Sequence, residues 1–452
     1  MSLVVGDKIN LDIRKQGING EGIGYYNKTL VFVDGAIQKE TVACEVVNVE
    51  RNYANAEIIK IKRHSTKRRT PPCKYYENCG GCQMQHIEYK EQLKIKQNTL
   101  KQAIKKYTKI DLSSIDIKKT KGQDPPYYYR NKSQMPFKNT NFDLAIGFYR
   151  PGSNAFVYVE DCIVHHKEIN KINQKVLSVL RKHKQKAYDS KNRDGKLLYI
   201  VTRYLKRTDS ASVTLVVKAM TDKLKEIGKE IKKLFPSIKS VSYTVKNPES
   251  NLVISDKVHL IAGSMWIEDS FKDIKVKVSP DAFHQLNTKQ MELMYDMILE
   301  IANVNDKSIV FDLYSGIGIT SILLAKSAKK VYGIDFSHAS IKDAAENARL
   351  NKVENVEFIA DHVESAMPKL LKKGIKPNLV LLDPPRRGLA PQVIAALLTA
   401  LPKEIIYVSC NPSTLAKDLD RLTQKYKVKS ISPIDMFPNT ASVESITLLE
   451  LI

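Results

Sequence analysis

From residue 288 onward the sequence alternates short apolar runs with longer amphipathic ones, and this alternation limits the possible folds more than any other feature of the chain. Helical spacing over 288–302, 320–327, 338–350 and 392–398 separates strand-like runs at 308–313, 330–334, 356–359, 379–382 and 404–408. Strands joined through helices of this length lie parallel, so the segment predicts an α/β domain, Rossmann-like, over 279–452. Ligands in such sheets bind at the C-terminal ends of the strands.

Those strand ends carry unusual residues. The first runs into Asp312-Leu313-Tyr314-Ser315-Gly316-Ile317-Gly318, where a Gly-x-Gly lets backbone approach a ligand closely. The second ends in Asp335, about twenty residues on, where an acid can hold a ribose diol. Asp361 and Asp383 follow the third and fourth strands. A dinucleotide site would carry a third glycine in the turn, but position 321 is Ser. The set therefore points to an S-adenosylmethionine pocket: Asp312, Tyr314 and Gly316 at the methionine end, Asp335 on the ribose, Asp361 facing the adenine. The fourth strand end reads Asp383-Pro384-Pro385-Arg386, a stiff turn that aims Asp383 at the cleft. The fifth reads Ser409-Cys410-Asn411-Pro412, and a cysteine there is placed to act as a nucleophile. Glu444, before a final strand, could serve as a general base if it reached the site.

Charge divides the chain. Its 72 Lys+Arg and 49 Asp+Glu leave a formal +23, while from Ser279 on there are twenty of each, so the entire excess precedes that residue. Nucleic-acid binding in front of a catalytic unit is the simplest reading, and a charge adjustment for solubility is the alternative. No apolar run is long enough to cross a bilayer, and residues 1–16 lack the apolar stretch of a signal peptide, so a cytoplasmic protein without a membrane partner is expected. Residues 1–61 read as five short strands with glycine turns, a small RNA-binding β-barrel. A basic linker leads to Cys73, Cys79 and Cys82, with Cys162 more distant. In a cytosolic chain a tight triple of thiols reads as a metal centre, and the Cys-x5-Cys-x2-Cys spacing leaves both an iron–sulfur cluster and zinc open. Residues 88–107 have helical spacing and a lysine-rich polar face. The segment Tyr127-Tyr128-Tyr129-Arg130-Asn131-Lys132 interleaves aromatics and cations, as a base-stacking surface would. A central α+β domain is expected over 62–278, with helix 88–107 reaching the catalytic domain.

The combination Asp383-Pro-Pro-Arg, Ser409-Cys410-Asn-Pro, Phe437-Pro-x-Thr with Glu444, and Phe283-x-Gln285 resembles the RNA uracil-5-methyltransferases. The four cysteines and a barrel that looks like a TRAM domain place the resemblance in the 23S ribosomal RNA branch. That resemblance implies a 4Fe-4S cluster on Cys73, Cys79, Cys82 and Cys162. It also implies S-adenosylmethionine as methyl donor, Cys410 as nucleophile and Glu444 as base. Gln285 and Asp383 would orient the uracil beside the donor, with Arg386 as an electrostatic helper. A monomer gripping a folded stem-loop of 23S rRNA is expected, its target uridine flipped into the site. A tRNA T-loop methyltransferase is the nearest rival, and the resemblance implies that such enzymes lack barrel and cluster. An RNA-binding or redox-sensing iron–sulfur protein with a vestigial transferase half is the other. Two positions depart from the family pattern: Asn439 and Ser442 stand where histidines are usual.

Overall fold

Eight strands form the largest sheet of the computed structural model, which describes residues 3–246, 252–255 and 257–452. In spatial order they are Val356–Ala360, Lys330–Asp335, Ile309–Leu313, Leu379–Leu382, Glu404–Ser409, Glu444–Leu451, Tyr426–Ile434 and Asp116–Ile117. The first five are mutually parallel, and Glu444–Leu451 is antiparallel to both of its neighbours. Val, Ile and Leu fill these strands because helices cover both faces and leave no side for polar residues. Met291, Met294 and Ile298 of helix Thr288–Ile301 lie in one core, together with helices Ile319–Ala325 and His338–Leu350. Helices Val363–Lys372, Pro391–Ala400 and Pro412–Leu422 build the other. Sequence order reverses between Ile309–Leu313 and Leu379–Leu382, so a crevice opens above the C-terminal ends of those two strands.

Two earlier stretches pack into this unit. Helix Tyr89–Tyr107 sets Leu100, Ala103 and Ile104 in the same core as Leu415 and Leu419, and strand Asp116–Ile117 extends the sheet beside Ser430 and Ile431. Hairpin strands Ile267–Phe271 and Ile274–Val278 bury Phe271, Ile274, Val276 and Val278 in the opposite core, and Lys277 N donates to Asn347 Oδ1 at 2.7 Å. The boundary expected at residue 279 thus falls inside one packed body, and the expected central domain 62–278 yields 88–121 and 267–278 to it. A two-residue strand and a short hairpin are too brief to show periodicity in a sequence. The charge division shifts accordingly, since 88–121 alone carries ten Lys against four Asp+Glu.

What remains of the centre is a seven-stranded sheet from Lys132–Asn139 to His259–Gly263, with helices Lys167–Lys182 and Asp222–Lys232 contributing to its core. Antiparallel strands Ile238–Val245 and His259–Gly263 close one edge of that sheet, while 247–251 and 256 lie outside the described residues. The N-terminal unit has six strands, one more than expected, because Lys15–Gln16 forms a short strand against Gly22–Tyr26. They bury Ile9, Leu11, Val31, Val33, Val42, Val46, Ala54 and Ala56 in a core of their own. Among the described residues no helix is long and apolar enough to cross a membrane.

Candidate active site

The crevice at the order reversal is lined by Phe283, Gln285, Tyr295, Asp312, Tyr314, Ser315, Gly316 and Asp383, among others. The chain turns sharply there: Tyr314, Gly316 and Gly318 all have positive φ, and a Cβ at Gly318 would lie 2.6 Å from the Phe358 ring. Asp312 accepts from Thr320 Oγ1 and Ser321 Oγ, both at 2.6 Å, and Asp335 accepts from Gly316 N at 3.0 Å and Ser337 N at 2.8 Å. Burial pushes Asp312 up to about 6, and burial with the nearby Asp312 charge pushes Asp383 up to about 7. Two crowded carboxylates of this kind favour a cationic ligand, which relieves their repulsion. Ser315 Oγ is buried and finds no partner among the described residues, leaving a donor free for a ligand. Ser315 was not anticipated from sequence, although its place between Tyr314 and Gly316 marks it.

Asp361 sits one residue beyond its strand but outside this lining. Its carboxylate accepts from Lys369 Nζ and from His362 N, each at 2.8 Å, and the lysine holds it below the usual aspartate range. The first helical turns after that strand lacked any sequence signal that would reveal the pairing. The Tyr127–Lys132 segment is only partly a surface. Tyr129 is buried and donates to the Pro438 carbonyl at 3.0 Å, and Asn131 is buried and donates to the Gln285 carbonyl at 2.9 Å.

Cys410 and Glu444 face each other across two antiparallel strands. Ser409 is the register partner of Ser445, so Cys410, just past one strand, lies opposite Glu444, the first residue of the other. Burial pushes the Cys410 thiol up to about 11, with Glu444 and Asp383 adding to the shift and Arg386 opposing it. Burial likewise pushes Glu444 up to about 8, with Asp383 adding and Arg386 and Lys96 opposing. One thiol and two carboxylates therefore share one electrostatic neighbourhood, with the exposed Arg386 at its rim. Gln285 and Phe283, 61% exposed, flank the mouth.

The other four predicted cysteines converge elsewhere. Cys73, Cys79, Cys82 and Cys162 line one cavity of about 120 Å³, with Arg130 and His165 in its wall. All four thiols are free. Burial pushes Cys82 up to about 12 and Cys162 up to about 11, and the backbone N–H groups of Val164 and His165 oppose the rise at Cys162. Among the described residues no group of three or more His, Cys, Asp or Glu side chains is placed to hold a metal ion, so the arrangement supports neither the zinc nor the iron–sulfur reading over the other.

Comparison with known proteins decides the family. The tRNA (uracil-5-)-methyltransferase family matches residues 88–452, and the TRAM domain matches residues 3–59. The chain belongs to the tRNA (uracil-5-)-methyltransferase family. Its match begins at the helix that the packing had already joined to the catalytic sheet. A Listeria monocytogenes protein named as an uncharacterized RNA methyltransferase is 38% identical to this family member, over 99% of this chain and 98% of the relative. A Clostridium acetobutylicum protein of the same description is 36% identical, over 96% and 95%. Among solved structures, the tRNA (uracil-54, C5)-methyltransferase of Pyrococcus abyssi, in complex with S-adenosyl-L-homocysteine, superimposes with a TM-score of 0.78 at 25% identity, covering 98% of this chain and all of that one. That uracil-5-methyltransferase matches this chain across its whole length, so the architecture by itself does not separate an rRNA enzyme from a tRNA enzyme. The expectation that tRNA enzymes of the family lack the front half loses its force.

Proposed function

We propose that the protein methylates carbon 5 of a uridine in a folded RNA, using S-adenosylmethionine, with Cys410 as nucleophile and Glu444 as base. The observation that carries this reading is the opposition of Cys410 and Glu444 at paired strand ends beside Asp383. Carbon 5 of uracil is too weak a nucleophile to take a methyl group directly. Cys410 adds as thiolate to carbon 6, and the electron pair displaced to carbon 5 attacks the methyl of the sulfonium, whose sulfur leaves as a thioether. Carbon 5 then bears both hydrogen and methyl. Glu444 takes that hydrogen as a proton, the carbon 5–carbon 6 double bond re-forms, and Cys410 departs as thiolate. The Cys410 proton passes to water before attack, and a cationic donor in the Asp312–Asp383 crevice would lower the cost of forming the anion. Gln285 and Asp383 orient the uracil and stabilise charge on its carbonyl, with Arg386 above them.

Asp312, Tyr314, Ser315 and Gly316 would hold the donor's methionine end, and Asp335 its ribose. Asp361 would have to release Lys369 to reach an adenine. Cys73, Cys79, Cys82 and Cys162 would hold a 4Fe-4S cluster, whose chemistry here is to cross-link the loop rather than to move electrons, since methyl transfer involves no net redox change. The basic front half, with the lysine face of helix Tyr89–Tyr107, grips RNA phosphates while the target base is flipped from its stack.

The substrate of this reading is 23S rRNA, as the motif resemblance implies. A tRNA is the second reading, favoured by the Pyrococcus abyssi likeness. Mapping 5-methyluridine in rRNA and tRNA from a deletion strain, before and after treatment with the purified enzyme, separates them. Restored methylation confined to tRNA would overturn the rRNA reading.

A further inference from the structure

The turn that follows Asp383 is held by the helix that follows Cys410. Asn411 caps that helix, Pro412–Leu422: its Oδ1 accepts from Ser413 N at 3.0 Å, while its Nδ2 donates to the Arg386 carbonyl at 3.1 Å. Thr414 Oγ1 donates to the same carbonyl at 3.2 Å, sharing its hydrogen with the Asn411 carbonyl at an equal distance. One turn further, Asp418 accepts from Leu389 N at 2.9 Å and from Tyr407 Oη at 2.7 Å. Residues 411, 414 and 418 share one helix face, which therefore grips the turn at its middle and at its end. Contact is tight enough to require glycine: Gly388 has φ +77°, and a Cβ there would lie 2.6 Å from Asp418 Oδ2 and 3.2 Å from Thr414 Cβ. Asp383 and Cys410 need little help from this clasp, because each directly follows or nearly follows a strand whose partner carries the other, Leu382 pairing with Tyr407. Arg386 is different. It lies four residues beyond Leu382 with an exposed side chain, and a long cationic side chain on an unanchored turn loses conformational freedom whenever it is made to face a ligand.

We infer that Asn411 and Thr414 are positioning residues for Arg386: by holding its carbonyl from the helix that starts beside Cys410, they keep the arginine in register with the nucleophile. This rests on the reading of Cys410 as nucleophile and Arg386 as electrostatic helper. A cation stabilises developing charge best when it is already in place, so that nothing has to reorganise as the charge forms. Negative charge develops twice in the proposed reaction, on the Cys410 sulfur and then on the uracil carbonyl. Arg386 favours the ionised forms of both Cys410 and Glu444, which agrees with a place beside them. Neither Asn411 nor Thr414 needs to touch the substrate for this. Their contribution passes through Arg386, and it disappears when the guanidinium is removed.

The test is a double-mutant cycle in the full-length protein, with S-adenosylmethionine and total RNA from a deletion strain as substrates. Asn411→Ser keeps an oxygen for the helix cap but is too short to reach the Arg386 carbonyl, and Thr414→Val keeps the side chain's shape without its hydroxyl. Because Arg386 is exposed, water can take over the bonds to its carbonyl, so the combined variant should unfold in urea close to the native midpoint. Its kcat is expected to fall about tenfold, with KM for S-adenosylmethionine unchanged. Arg386→Ala should lower kcat at least as far. Adding Asn411→Ser and Thr414→Val to Arg386→Ala should then cost less than about twofold, since no positioned cation is left to lose. A full tenfold loss in the Arg386→Ala background would make the clasp merely structural and overturn the inference, as would a native rate in the combined variant. Should the combined variant not fold, each single variant is carried through the same cycle, with a loss of about threefold expected before Arg386 is removed and none after. Two controls isolate the underlying reading. Native turnover in Cys410→Ala would sink the nucleophile, and native turnover in Arg386→Ala would sink the helper and this inference with it; additivity in the cycle, with both controls impaired, sinks the inference alone.

Discussion

Two regions of this protein gather thiols, and they differ in the acids around them. Among the described residues, no carboxylate lines the cavity of Cys73, Cys79, Cys82 and Cys162; its polar wall is Arg130, His165, Gln85 and Gln134. Around Cys410 stand Asp383 and Glu444. Four thiols with no carboxylate in their cavity lack the acid–base partners that surround Cys410. One thiol between carboxylates can add, wait for a proton to be taken, and leave. A cysteine's role is thus read from its neighbours' ability to move protons.

The sharpest way to break this contrast is to exchange the losses. Cys410→Ala should lower methyl transfer on the order of 10³-fold or more while leaving RNA affinity and any bound iron unchanged, as measured by methyl incorporation, filter binding and metal analysis. Retained transfer would end the nucleophile assignment. Cys82→Ser should do the reverse in kind: lost iron, lost visible absorbance in anaerobically purified protein and a melting temperature lower by several degrees. Native protein that is colourless and holds stoichiometric zinc would remove the cluster from the comparison.

Much of the catalytic crevice was legible because strand ends are punctuated. Asp312, Asp335, Asp383 and Cys410 stand at the ends of runs whose apolar character is unmistakable, and Gly316-x-Gly318 turns between them. Legibility failed where an element was short or a residue contradicted its surroundings. Pro368 sits inside helix Val363–Lys372 and hid it, and helix Pro412–Leu422 passed unread beyond the Cys410 motif. Strand Asp116–Ile117 is set by tertiary pairing alone. Lys96 looked like one more solvated lysine, yet it lies four residues from both Gln92 and Leu100 on the buried stripe of its helix. That spacing was the available signal. For the same reason a fragment cut at residue 279 would expose the partners of Ile104 and Val276, so the basic half and the catalytic half cannot be separated there.

A smaller effect concerns the acids themselves. Asp383 is raised to about 7 and Asp312 to about 6, so both bind protons as pH falls through neutrality. A cationic donor prefers their ionised forms. Its binding should release protons and weaken as pH falls from about 8 to about 5, by up to tenfold per unit for each coupled group. Calorimetry with S-adenosyl-L-homocysteine, which lacks the sulfonium charge, should show a shallower slope. Equal slopes would mean that these carboxylates do not feel the sulfonium.

The smallest predicted effect tests whether the two thiol regions are independent. Asn439 is buried in a left-handed conformation, φ +68°, and its carbonyl accepts from Gln83 N at 3.1 Å and Met84 N at 3.0 Å, immediately after Cys82. Its side chain donates to the Pro126 carbonyl at 2.7 Å and accepts from Gln92 Nε2 at 3.2 Å. Asparagine tolerates positive φ better than most residues, which suits it to this turn. Asn439→Ala should cost about 1–3 kcal/mol through the lost hydrogen bonds and the strained backbone, read from urea unfolding. Asn439→Gly should cost less of the backbone share. Because Glu444 lies five residues further on, loosening Asn439 should also lower turnover a few-fold without changing RNA affinity. The same kinetic signature should then appear, superimposed on lost stability, in Cys82→Ser. If Asn439→Ala lowers stability but leaves turnover untouched, the cysteine loop and the catalytic loop are joined mechanically but not functionally.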